Sequence, residues 1–216
     1  MAGYYPIYLS LKNTLCIVIG GGGVAERKVR SLLKNGARVT VISPELTAGL
    51  SALVKKGEIT HIKDRFKRKY VKQARLVIGA TSDNEVNREI YEDSQKKGIL
   101  VNIVDSPKYC DFIVPSVVER KDLVIAISTS GKSPALAKKI RKEIEAAYGE
   151  EYAEFLSLMG RIRKRVISRI RDQKKREKIF DNLVHSDIID LIKNREEDKV
   201  KSLIDDFIKK IDNLEI

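Results

Sequence analysis

The sequence predicts an α/β protein: an N-terminal Rossmann-type parallel sheet, then a small α+β element, then a C-terminal helical region. Three observations carry this prediction. The apolar run Cys16-Ile17-Val18-Ile19 ends in four consecutive glycines and passes directly into a helical pattern. Apolar strands and segments of helical period then alternate to about residue 104, as expected for parallel strands joined by right-handed crossovers. Beyond residue 150 only helical spacing remains.

Each element has its own signal. Residues 14–19 form an apolar strand, and residues 24–35 a helix that stops at Gly36, a natural C-cap. Residues 38–43 alternate as a strand, and Pro44 opens a helix over about 45–56. Strands follow at 59–62 and 76–80, then a helix at 83–97 ended by Gly98, then a fifth strand at 99–104. After Pro107, residues 112–119 and 123–128 are β-rich and joined by Arg120-Lys121-Asp122, which predicts a hairpin. Ser133 and Pro134 suit the N-cap and first position of a helix reaching about Tyr148. Further helices are expected near 152–171, 174–184, 187–193 and 196–211. The corresponding domains are 1–114, 115–149 and 150–216.

With 43% hydrophobic residues in 216, the chain can build a real core. No apolar run reaches the ~18–20 residues of a membrane span, and the N-terminus lacks the basic-then-apolar form of a signal peptide. A cytoplasmic protein is expected, with no membrane partner. The two cysteines give neither a disulfide framework nor a metal-ligand spacing, so no bound metal is expected. Cys16 reads as a small buried hydrophobe. The net charge of +12 favours an acidic partner: nucleic acid, anionic lipid or a polycarboxylate. Residues 161–178 hold ten basic side chains against two acidic, and the balance reverses beyond them. Such a run is commonly a solvated helix face. Aromatic residues are only 6% and no nucleic-acid reader motif occurs, so no nucleic-acid partner is expected.

Gly20, Gly22 and Ala25 fit the G-x-G-x-x-G/A pattern of a dinucleotide-binding turn. Gly20 permits the tight turn, Gly22 admits a pyrophosphate, and Ala25 allows close helix–strand packing. The N-terminus of the following helix offers free N–H groups to phosphates. Other loops should converge at the same sheet edge: Ser43-Pro44-Glu45, the segment with Thr81 and Ser82, and Asn102 to Pro107. Glu45 lies close to the offset at which an acid meets the adenosine ribose, and no arginine adjoins Ser43 to meet a 2′-phosphate, which favours NAD. Thr81 and Ser82 either bond the cofactor or cap the helix near Asp83. Asp105, between an apolar run and Ser106-Pro107, is the carboxylate chosen as functional; the alternative is a turn-forming Asp. His61 and His185 sit in unpromising contexts. Ser128-Thr129-Ser130-Gly131-Lys132-Ser133 enters a helix with hydroxyls and N–H groups suited to anions. It is not a P-loop, because position 126 is Ala.

Taken in order, Pro6-Ile7-Tyr8-Leu9, Val18 to Lys28, Asn102 to Asp105, Phe112 to Ser116 and Ser128 to Ala137 resemble the precorrin-2 dehydrogenases, the siroheme synthase N-terminal module and its free-standing relatives. The resemblance covers residues 3–148. It implies NAD-dependent oxidation of precorrin-2 to sirohydrochlorin, with Fe2+ insertion in some members. It places the family carboxylate on Asp105 and the cofactor contacts on Gly22, Gly23, Val24, Ser43, Pro44 and Glu45, with Thr81 nearby. It also implies a homodimer formed through about residues 115–148. Some fused members carry a modified serine where this chain has Thr129. These 216 residues do not hold the methyltransferase half, so synthesis of precorrin-2 is not expected of them. The polycarboxylate substrate and product give the basic charge a cause, with Asn102, Lys108, Ser128, Lys132 and Ser133 as candidate contacts. The rival expectation is an NAD-binding regulatory or nucleic-acid-binding dimer without turnover.

Overall fold

In the computed structural model, which describes residues 3–212, the N-terminal sheet comprises β1 (Leu15–Ile19), β2 (Arg38–Ile42), β3 (Ile59–Ile62), β4 (Leu76–Gly79) and β5 (Leu100–Ile103). All pairings are parallel and the order is β3-β2-β1-β4-β5. The order reverses beside β1, where open parallel sheets bind their ligands. Ile19 is in register with Ile42 and Gly79, and Gly79 with Ile103. The loops after β1, β2, β4 and β5 therefore leave the sheet along one edge.

Burial on both faces explains why these strands read as continuous apolar runs. In β1, Cys16 and Val18 face Ala25, Val29 and Leu32 of α1 (Gly23–Lys34) and Leu50 and Leu53 of α2 (Ala48–Lys55). Ile17 and Ile19 point the other way, toward Ile90 of α3 (Asn84–Lys96) and Val71 of a short 3-10 turn, Arg68–Val71. Burial pushes the Cys16 thiol up to about 11, so it remains a neutral core group.

Two boundaries differ from the sequence reading: the first hairpin strand starts at Ser116, not 112, and the start of α2 is displaced. α2 starts at Ala48, not near residue 45, because Thr47 takes the N-cap and its hydroxyl accepts from Leu50 N at 3.2 Å. Pro44 therefore marks the exit from β2, and Pro44, Glu45 and Leu46 stay outside the helix.

The N-terminal unit reaches Val114 and a second unit begins at Pro115. In the second, β6 (Ser116–Arg120) and β7 (Leu123–Ile127) form an antiparallel hairpin with Val118 opposite Ile125. α4 (Pro134–Ala147) lays Ala137, Ile140 and Ile144 on Val118, Ile125 and Ile127. Four helices follow: α5 (Glu151–Arg169), α6 (Gln173–Val184), α7 (Ile188–Lys193) and α8 (Glu197–Asp212). Phe155, Leu158, Ile162, Val166, Leu183, Ile188 and Ile192 form their core. Among the described residues no helix is long and apolar enough to cross a membrane.

Candidate functional site

The four glycines after β1 do different jobs. Gly20 has φ +117°, and its N–H donates to Ile42 O at 2.9 Å. A methyl group there would lie 2.2 Å from the Ala80 carbonyl oxygen. Gly21 packs on the loop after β2: a methyl group would fall 1.8 Å from Glu45 O and 2.7 Å from Ser43 Oγ. Gly22, the N-cap of α1, and Gly23, its first residue, would carry a methyl group into open space. Gly22 supplies no side-chain acceptor to the first-turn N–H groups of α1. An open glycine cradle over uncapped amides is the shape and chemistry a dinucleotide pyrophosphate needs. Val24 follows in the first turn, and Ala25 is fully buried against the sheet.

The β2 loop is fastened at both ends. Ser43 is 8% exposed; its N–H donates to Ile62 O at 3.2 Å, and His61 Nε2 lies 2.9 Å from its carbonyl oxygen. At the other end Thr47 N donates to Gly21 O at 2.9 Å. Pro44 and Glu45 are exposed between these anchors. After β4, Thr81 Oγ1 accepts from Asp83 N at 3.0 Å, while the Asp83 carboxylate caps α3 by accepting from Glu85 N and Val86 N. The cap is thus Asp83, and Thr81 and the neighbouring Ser82 sit on the sheet edge beside Gly20 and Ala80.

Asp105 stands on a tight turn after β5, closed by Ser106 N donating to Ile103 O at 3.2 Å. Its φ is +59°, a left-handed conformation that Asp tolerates better than most residues, and the residue is exposed. The chain then returns to β5. Asn102 and Cys110 form a bridge, Asn102 Nδ2 donates to Phe112 O at 2.8 Å, and Asp111 Oδ2 accepts from Val101 N at 3.0 Å. The Cys110 thiol donates to Ile103 O at 3.2 Å and Ser106 O at 3.3 Å. These bonds close a loop that displays Asp105. Asn102, 9% exposed, commits its amide to that closure. Lys108 is exposed, with its ammonium 4.7 Å from the Tyr109 ring centroid.

Lys28, half-buried on α1, connects the two halves of this edge. Burial lowers its pKa and Arg27 lowers it further, while Asp105 and Cys110 oppose the fall. Asp105 therefore lies within electrostatic reach of the helix that begins at the glycine turn.

Ser128, Lys132 and Ser133 belong to the second unit. Ser128 Oγ accepts from Ser130 N at 3.0 Å, Ser133 Oγ caps α4 through Leu136 N at 3.2 Å, and Lys132 is exposed. Thr129 Oγ1 donates to Ser133 O at 3.0 Å and accepts from Ser133 N at 3.2 Å, which rigidifies the loop. A cavity of about 870 Å³ also belongs to this unit, lined by α5 and α8 residues including Arg161, Arg165 and Asp205, and contains no sequence-predicted site residue. Among the described residues no cluster of three His, Cys, Asp or Glu side chains could hold a metal ion.

Sequence reasoning passed over Gly21, Glu26, Lys28 and Thr47, and set His61 aside. A fourth glycine at a position where the motif tolerates any residue was the available signal for Gly21. His61 lies in the strand expected at 59–62, which is the edge strand β3, and its ring nitrogen anchors Ser43. His185 closes the C-terminal end of α6.

Residues 7–116 match a family described as putative NAD(P)-binding, residues 120–147 the sirohaem biosynthesis protein central family, and residues 151–208 the sirohaem synthase dimerisation region. The name that mentions dimerisation thus falls C-terminal to the hairpin-and-helix element to which the resemblance assigned that role. Siroheme synthases of Nitrosococcus oceani and Thioalkalivibrio sulfidiphilus are 35% and 37% identical over 202 residues, or 94% of this chain. The matches cover 43% and 41% of those proteins, so the chain spans about two fifths of the length of these curated relatives. The solved structure of SirC, precorrin-2 dehydrogenase, aligns with a TM-score of 0.77 at 25% identity, covering 97% of this chain and 99% of that one. Matched in this order along its length, the chain belongs to the siroheme synthase and precorrin-2 dehydrogenase family, with a putative NAD(P)-binding unit at its N-terminus.

Proposed function

We propose that this protein oxidises precorrin-2 to sirohydrochlorin with NAD+, releasing NADH and a proton. The observation that carries the reading is one sheet edge holding both an open glycine cradle and, within reach of Lys28, the exposed Asp105 carboxylate. The near end-to-end likeness to SirC, precorrin-2 dehydrogenase, supports it.

Bound at this edge, NAD+ would accept a hydride from the reduced macrocycle carbon. The chain's own residues do the rest. The Gly22–Gly23 cradle and the first amides of α1 hold the pyrophosphate, Val24 and Ala25 set the helix behind it, and Glu45 accepts from the adenosine ribose hydroxyls. Ser43 and Pro44 shape that pocket, and Thr81 and Ser82 line the side toward the nicotinamide. Asp105 takes the proton released as the ring is oxidised, or aligns the macrocycle for its loss. Lys108 contacts a substrate carboxylate, and the +12 net charge draws that polyanion in. The homodimer forms through the second unit.

The test is anaerobic incubation with enzymatically made precorrin-2 and NAD+, following NADH and sirohydrochlorin by absorbance. Coupled appearance of both is expected. Folded protein that yields neither, with NAD+ or NADP+, overturns the proposal. Adding Fe2+ to the same cuvette asks whether the product is also metallated.

A further inference from the structure

Two side chains with no place in that reaction tie the glycine turn to the loop that carries Glu45. Glu26 lies in the first turn of α1, and its Oε2 accepts from Thr47 Oγ1 at 2.5 Å. Its Oε1 accepts from Arg30 Nε at 3.0 Å and Nη2 at 2.7 Å. The carboxylate fits there only because residue 49 is glycine, since a methyl group on Gly49 would lie 2.0 Å from Oε1. Thr47 also caps α2 and, through its N–H, holds Gly21 O. Gly21 in turn abuts Glu45 O.

We propose that Glu26 and Thr47 are positioning residues that latch the 43–47 loop onto the glycine turn, setting affinity for the adenosine half of the cofactor. The inference rests on the NAD reading above. The cap on α2 requires only that the Thr47 hydroxyl accept from Leu50 N; the proton of the same hydroxyl is spent on a charged partner from another helix. That second bond crosses from α1 to α2 beside the residues that would receive the ribose. It holds the loop before the cofactor arrives, so binding pays less to order it. Hydrogen bonds donated by the Thr47 hydroxyl and the Arg30 guanidinium hold the Glu26 carboxyl below its usual range.

Thr47→Asp separates the two roles. Aspartate is a good N-cap, so α2 keeps its start, but it places a second carboxylate against Glu26. Thr47→Ser keeps both bonds. Titration calorimetry of the full chain with NAD+, adenosine diphosphate ribose and nicotinamide mononucleotide gives the readout. Thr47→Asp should weaken NAD+ and adenosine diphosphate ribose at least about tenfold, the scale of one charge-assisted hydrogen bond. Nicotinamide mononucleotide binding should be unchanged, and Thr47→Ser should match the parent throughout. Parent-like NAD+ affinity in Thr47→Asp overturns the latch, and so does an equal loss for nicotinamide mononucleotide, which would signal general distortion. A parent that binds none of the three overturns the NAD reading itself and the latch with it.

Discussion

Asn102 donates its side-chain amide to the Phe112 carbonyl at 2.8 Å, closing the base of the loop that presents Asp105. Asn102 is only 9% exposed, so its amide is largely removed from competing water. Replacing Asn102 with leucine leaves the Phe112 carbonyl without its partner, a loss of about 1–3 kcal/mol. The expected result is a lower urea midpoint together with reduced turnover at saturating NAD+, because the Asp105 loop is less fixed. An unfolding midpoint equal to the parent's would mean that the closure adds nothing to stability.

Asp105 is best tested by two substitutions. In Asp105→Ala turnover should be lost while the protein still folds, but a left-handed alanine at φ +59° adds about 1–2 kcal/mol of backbone strain. Asparagine tolerates that conformation and removes only the charge. Asp105→Asn should therefore keep the parent's stability and NAD+ affinity while losing on the order of 100-fold in turnover, the lower range for a proton-transfer group. Full activity in that variant would take Asp105 out of the chemistry.

How legible the site was depended on whether a residue's task is local. The glycine turn and the caps of α4 act within a few residues of themselves, so spacing alone located them. Asp105 was singled out from its place between an apolar strand and a proline, although its left-handed backbone was not readable. Thr47 was not found because Pro44 looked like the better helix start. The structure chooses Thr47 because its hydroxyl can serve Leu50 N and Glu26 at once, and Glu26 is 21 positions away. The bond from Asn102 to the Phe112 carbonyl was not readable, since nothing in the sequence announced a return of the chain there. Gly21 was passed over because its constraint comes from Glu45, across the loop after a different strand.

The glycines allow a paired test. At Gly21 a methyl group meets a backbone carbonyl at 1.8 Å, which no side-chain adjustment relieves. Gly21→Ala should destabilise by about 1–3 kcal/mol or more, the range for overpacking. At Gly22 the backbone is extended with φ −84°, and the methyl group enters open space. Gly22→Ala should unfold at the parent's midpoint yet bind NAD+ weakly, because the methyl group occupies the pyrophosphate's approach. Equal thermal midpoints for the two variants would contradict the division of labour among the glycines.

Asp64 sets an acid limit on the N-terminal unit. Its carboxylate accepts from Lys67 Nζ at 2.5 Å, from the Tyr70 hydroxyl, and from Arg65 N at 2.8 Å. The Lys67 and Tyr70 bonds, in that order, hold its pKa down to about 2, against 3.8 for an unperturbed aspartate. The unfolded chain therefore takes up this proton first as the pH drops. The stabilisation is fully present above about pH 4, declines as the pH falls from there toward 2, and is gone below both values. Asp64→Asn should be less stable than the parent at pH 7, and the gap should close between pH 4 and 2. Urea unfolding of both proteins at pH 7, 4 and 2 measures this directly. The other carboxylates titrate in both proteins alike, so the difference between the two curves isolates Asp64. A gap that stays constant across that range would show that the Lys67 and Tyr70 bonds do not distinguish the charged carboxylate from the neutral amide.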